Sequence, residues 1–316
     1  MKRFKRIIIF MLLITVSLLS LALMGCGDSG EDIYKVNYFN INILDFEESP
    51  YYLSSPVTLD FPSLCDNEGI VLFKYNGDTF YHPVKLSQYI LNFLASYKLT
   101  GNEEYLIRCD LYFDKMLELA NFYNGMPFFP YTFDFELHSI NDQVMRADWY
   151  SGMAQGLILS AFVRMYEITK DEFYKKWADK VFLSISTVRT DDYGKYWVTV
   201  VNEDRYLWIE EYPMNEFNYT LNGFIFAIYG LYDFYRINQD NILAKQILYA
   251  ALTTVYDNIL NFRNPGGPSS YCLKHAIPSK SYHRIHIDQL MMLYAMTSEE
   301  FFKEVADLFI SDFYDY

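Results

Sequence analysis

The strongest constraint in this chain is a helical period that begins near residue 84 and continues almost to the C-terminus. Leu86, Tyr89, Ile90, Phe93 and Leu94 fall at i, i+3, i+4, i+7 and i+8, one face of a helix. Further helical stretches are expected over residues 103–123, 149–166, 171–186, 219–235, 242–260, 285–296 and 299–312. Short links join them into four hairpins at irregular spacing, with no repeated sequence, which disfavours a regular solenoid. Hairpins separated by long inserts predict a mainly α fold, an incomplete α/α toroid, with residues 126–147 and 264–284 gathered at one end. A plain helical bundle is the alternative. Ahead of the helices, residues 36–43 and 71–75 read as short strands, the second closed by Asn76-Gly77-Asp78. The expected organisation is a linker with a small β-containing segment over residues 26–80 and an α/α-barrel catalytic domain over residues 81–316.

Residues 1–25 are set apart. Lys2, Arg3, Lys5 and Arg6 precede an apolar run over residues 7–24, which ends in Leu23-Met24-Gly25-Cys26. This resembles a bacterial lipoprotein signal, cut before a Cys26 that then carries lipid. It predicts a membrane-anchored, extracytoplasmic protein of the cell envelope. Cys65, Cys109 and Cys272 remain, an odd number at wide spacing without a CxxC pair. One disulfide is compatible with that compartment, and no metal cluster is expected.

The net charge of −14 argues against nucleic acid as a partner and implies that any polyanionic substrate needs a local basic site. Thirty Tyr and 26 Phe bring the aromatic fraction to 19%, and flat rings with polar tips suit sugar binding. Polar residues interrupt apolar runs in three places. Arg146, Trp149, Ser151 and Gln155 surround a helix start and are candidates for substrate contact, although Trp149 and Gln155 also suit packing. Glu210-Glu211-Tyr212-Pro213 precedes Asn222-Gly223 inside an apolar helix, where a buried amide needs partners and Gly costs about 1 kcal/mol relative to Ala, as if something packs there. Tyr271, Lys274, His275, Tyr282, His283, Arg284 and His286 form a basic, aromatic cluster in an acidic chain, suited to a carboxylated sugar. His283 and His286 have a spacing that can hold a metal, but no His-Glu pattern completes a site, so no metal is assigned.

These segments, with Tyr81-His82-Pro83, residues 149–164, residues 221–224 and residues 271–275, are collinear and similar to the C-terminal helical domain of the D-glucuronyl C5-epimerase family. The resemblance implies an α/α barrel acting on a uronic-acid-containing, heparosan-like polysaccharide. It also implies catalytic roles for Glu211, Tyr212, Tyr271 and Tyr282, and substrate contact by Asn222. Lys274 stands where the family usually has Arg, Cys272 replaces an Asp, and residues 126–147 match poorly. The implied reaction removes a proton from C5, next to a carboxylate, and returns one from the other face. It requires no cofactor. Lys274, His275, His283 and Arg284 are candidates to offset the charge and favour a tyrosinate. Two alternatives stay open: a uronate polysaccharide lyase with the same first step, and a non-catalytic glycan-binding surface lipoprotein. A homodimer is also left open.

Overall fold

Four helices form an inner arc, and each is followed by an outer partner. The computed structural model describes residues 33–60, 64–140, 143–190 and 194–314, and Tyr34–Tyr316 form one unit. The leader expected over residues 1–25, and Cys26, expected to carry lipid, lie outside the described residues. The helices are α1 (Pro83–Thr100), α2 (Glu104–Leu119), α3 (Gly152–Thr169), α4 (Glu172–Ser186), α5 (Leu221–Ile237), α6 (Ile242–Asn258), α7 (Lys280–Thr297) and α8 (Glu300–Asp312). Packing runs α1–α3–α5–α7 along the inner arc, and α2, α4, α6 and α8 each cover the helix before them. This is the expected incomplete α/α toroid.

The two middle inner helices, α3 and α5, are apolar nearly all round because both faces are covered. In α3, every residue from Gly152 to Met165 is buried. The α3–α5 crossing is close because Gly156 and Gly230 face each other. A Cβ on Gly156 would lie 2.4 Å from the Ala227 Cα, and one on Gly230 would lie 2.3 Å from the Gly156 carbonyl oxygen. The same crossing buries a forked ion pair, Arg164 Nε and Nη2 to Asp233 at 2.7 and 3.0 Å. Left-handed residues close several helices: Gly101 after α1, Lys170 after α3 and Ser298 after α7.

The strands form four separate antiparallel hairpins: β1 (Phe73–Tyr75) with β2 (Asp78–Phe80), β3 (Asn121–Tyr123) with β4 (Met126–Phe128), β5 (Phe135–Glu136) with β6 (Val144–Met145), and β7 (Thr199–Val201) with β8 (Leu207–Ile209). Residues 121–123, expected at the end of a helix, are the first strand of a hairpin. Asn124 and Gly125 both take positive φ, which suits a tight turn better than a helix end. Residues 36–43, expected as a strand, are extended but join no ladder. They lie along the outer helices instead, where Phe39 packs on Tyr249, Tyr256 and Phe302. The Asn42 amide donates to the Met296 carbonyl.

Candidate active site

The inner helices share an orientation that matters for chemistry. A cavity of about 340 Å³ is lined by Val84 and Gln88 of α1, Met153 of α3, Asn222 and Phe226 of α5, and Tyr282 and Ile285 of α7. Each belongs to the first two turns of its helix, so four helix N-termini face one cavity. Each terminus presents roughly half a positive charge, a field that favours an anion. His82 and Ser151, the caps of α1 and α3, also line the cavity. The remaining wall is aromatic: Phe73, Tyr131, Phe133, Phe135, Trp149 and Tyr212. Trp149 stacks on Tyr131 with ring centres 3.8 Å apart, and its indole N–H donates to the Phe133 carbonyl, which fixes the ring as part of the wall.

Glu211, Tyr212, Tyr271 and Tyr282 come together although their sequence positions span two inserts. The Tyr212 and Tyr271 hydroxyls are 3.1 Å apart, and the Tyr271 hydroxyl donates to Glu211 Oε2 at 3.3 Å. The Tyr271 and Tyr282 rings meet edge to face at 4.4 Å. Glu211, Tyr212 and Tyr282 line the cavity, and Tyr271 sits behind them, connected through these contacts. Glu211 occupies the space left by Gly223, where a Cβ would lie 2.2 Å from Glu211 Oε2. That close approach explains the glycine inside an apolar helix. Asn222 presents a buried Oδ1 with no hydrogen-bond partner, while its backbone carbonyl accepts from Gln289 Nε2 at 2.9 Å.

Burial pushes the Glu211 carboxyl up to about 7, partly offset by the Tyr212 and Tyr271 hydroxyls and the Gly223 amide. Burial likewise raises Tyr212, Tyr271 and Tyr282, and the Glu211 charge adds to each. The tyrosines are therefore held as acids, and the group poised to act as a base near neutral pH is Glu211. This corrects the expectation of a tyrosinate stabilised by neighbouring cations. Glu210, also raised to about 7 by burial, is turned away and accepts from the Asn218 and Tyr219 amides.

None of the four basic residues expected at the site lines the cavity. Lys274 pairs with Glu216 at 2.7 Å. His275 lies against Cys272, Sγ to Nδ1 at 3.2 Å. The other two are displaced by helix geometry. Helix α7 begins at Lys280, five residues before its expected start, so successive residues turn by about 100° around it. Tyr282 and Ile285 face the cavity, and Arg284 faces solvent. His283 turns toward α8, where Nε2 donates to the Phe313 carbonyl at 2.7 Å and Nδ1 accepts from the Ser269 amide at 2.8 Å. His286 is buried against Ser269 Oγ at 2.8 Å, so this pair holds a loop in place.

Two residues of the first candidate segment are also placed elsewhere. Gln155 is a buried strut, its amide donating to the Pro127 carbonyl at 3.0 Å and to Ser184 Oγ at 2.5 Å. Arg146 is exposed and pairs with Asp134 at 2.5 Å. It lines a second cavity, of about 420 Å³, together with Asp148, Lys195 and Trp197, and Trp149 borders both cavities.

His82 was not among the expected site residues. Its Nδ1 accepts from the Lys85 amide at 3.3 Å, which leaves Nε2–H as the ring's donor. Burial, and then Lys85, lower it to about 4, so it is neutral near pH 7. The available signal was its position before Pro83 at a helix start. The aromatic wall from residues 131–135 carried no such signal, since no regular period runs through that insert.

Comparison with known proteins agrees with this architecture. A sugar epimerase from a ruminal bacterium superposes with a TM-score of 0.54 at 15% identity, covering 84% of this chain and 65% of that one. A D-mannose isomerase gives 0.52 at 13% identity, covering 84% and 67%. At such identities the likeness concerns the fold. In sequence, the D-glucuronyl C5-epimerase of Caenorhabditis elegans is 28% identical over 184 residues, 53% of this chain and 29% of that protein. An uncharacterized protein of Methanocaldococcus jannaschii is 27% identical over 173 residues, 54% of this chain and 53% of its own length. The chain thus spans about half or less of these relatives. Residues 124–311, which carry Glu211 and all three clustered tyrosines, match the family described as D-glucuronyl C5-epimerase C-terminus, and the chain belongs to that family.

Proposed function

We propose that this protein inverts C5 of glucuronosyl residues within a uronic-acid-containing polysaccharide. The observation that carries the reading is the linked set Glu211–Tyr271–Tyr212 with Tyr282, at a cavity facing four helix N-termini. The substrate carboxylate must be neutralised before C5 can lose a proton, because the intermediate puts a second negative charge on the same group. With no Lys or Arg among the described residues of the cavity wall, that task falls to the helix termini and to neutral donors such as His82 Nε2–H and Asn222.

Ionised Glu211 accepts the C5 proton, directly or through Tyr271 and Tyr212. The Tyr282 hydroxyl gives a proton to the opposite face. Tyr271, whose hydroxyl bonds Glu211 and whose ring meets that of Tyr282, then returns the proton from Glu211 to the Tyr282 oxygen, and the set is restored. The second cavity beyond Trp149 supplies room for a neighbouring sugar, which favours a polymer over a free monosaccharide. Incubation with heparosan, a polymer of alternating glucuronate and hexosamine, followed by disaccharide analysis tests the reading. Iduronate is expected. Unsaturated, ultraviolet-absorbing ends would instead assign the protein as a lyase.

A further inference from the structure

Behind Tyr271, outside the cavity, lies a group of side chains that the proposed reaction does not use. Cys272 is fully buried, and its Sγ is 3.5 Å from His138 Nε2 and 3.2 Å from His275 Nδ1. All three atoms lie within 4.8 Å of one another. Three widely spaced cysteines without a CxxC pair give no reason to expect a metal cluster, and His138 is 134 residues from Cys272, in a different insert. We propose that His138, Cys272 and His275 form a binding site for a zinc ion, with a fourth position open to water.

The spacing carries the inference. Zinc binds thiolate sulfur at about 2.3 Å and imidazole nitrogen at about 2.0–2.1 Å in a tetrahedron, which places sulfur and nitrogen ligands about 3.5 Å apart and two nitrogens about 3.4 Å apart. The two sulfur–nitrogen distances, 3.5 and 3.2 Å, already match, and the ligand atoms all lie within 4.8 Å of one another, so the two half-buried imidazoles draw together on binding. The donor set is selective: one soft sulfur and two borderline nitrogens suit zinc, and they are a poor match for calcium or magnesium, which take oxygen.

The ion would have a defined structural task. His138 comes from the insert that supplies the Phe133 and Phe135 wall, while Cys272 and His275 follow Tyr271 by one and four residues. The His138 ring stands edge-on to Tyr271 with centres 5.3 Å apart. Zinc would clip the two inserts together directly behind that tyrosine. Binding replaces the thiol proton, which passes to solvent, by a bond to the metal, and no oxidation is involved.

The test reads metal content and is independent of any epimerase activity. Protein freed of metal by chelation and dialysis is given one equivalent of Zn²⁺, passed through gel filtration and assayed for zinc. Parallel samples receive Co²⁺ and are scanned for the thiolate-to-cobalt charge-transfer band. Wild type should retain one zinc per chain and show the band, and Cys272→Ser should lose both. His138→Ala lies on a half-buried loop residue and should lose the zinc while its metal-free melting temperature matches that of metal-free wild type, so the test survives if Cys272→Ser fails to fold. The proposal is overturned if wild type retains no zinc, or if Cys272→Ser or His138→Ala retains it equally, which would place the ion elsewhere.

Discussion

Replacing Glu211 by Gln should stabilise the protein while disabling its chemistry. Burial raises this carboxyl from its ordinary value of 4.5 to about 7. Between those pH values the native state holds a proton that the unfolded chain has released, so stability falls as pH rises through the window and levels off above about 7. The ionised form therefore costs the fold about 3 kcal/mol at pH 8, at about 1.36 kcal/mol per unit. Glutamine matches the protonated acid in shape and can keep the acceptor for the Tyr271 hydroxyl. Urea unfolding should give nearly equal stabilities for wild type and Glu211→Gln at pH 5. The variant should be ahead by about 2–3 kcal/mol at pH 8. Glu210, raised to a similar value, still titrates in the variant, so a reduced slope should remain. A variant no more stable than wild type at pH 8, or a gap that does not widen between pH 5 and pH 8, would refute the claim that Glu211 is held ionised at the fold's expense.

Gly223→Ala should disturb the same carboxylate from the other side, because the new Cβ would sit 2.2 Å from Glu211 Oε2. Activity should fall by at least about 10²-fold in steady-state assays, the scale of a displaced proton carrier, and near-normal turnover would contradict the packing argument. Lys274→Ala should leave the turnover number almost unchanged and shift stability by no more than about 1 kcal/mol, since its partner Glu216 is exposed. A loss of turnover there would return Lys274 to the site. Arg164→Ala should destabilise the protein by about 2–3 kcal/mol in chemical unfolding, because the fully buried Asp233 charge loses its forked partner and keeps Arg236, at 3.0 Å, and a cost below about 1 kcal/mol would refute this.

The toroid was legible because eight apolar helical periods are local patterns, and each survives in the structure with ends shifted by a few residues. The largest shift is instructive. Helix α7 opens with Lys280, Ser281 and Tyr282, polar residues that hide its first turn from a search for apolar spacing. Missing that turn left Tyr282, His283 and Arg284 looking like one cluster, whereas a helix sends neighbours to different faces. The tyrosines and Glu211 were found through family motifs, and Gly223 through its cost in a helix interior. The absence of a Lys or Arg among the described residues of the cavity wall was not readable. It depends on where Lys274 finds Glu216, and on the convergence of four helix N-termini that only the closed fold brings together. The His138–Cys272–His275 group was invisible for the same reason, since its ligands lie on separate inserts.

The most direct test of the account is deuterium incorporation at C5 of heparosan in heavy water, compared between wild type and the Tyr212→Phe and Tyr282→Phe variants. Each substitution removes one hydroxyl from the cavity wall and leaves the ring packing in place. The account predicts exchange by wild type and a loss of at least about 10²-fold in each variant, with polymer binding retained. Exchange at the wild-type rate in both variants would contradict it.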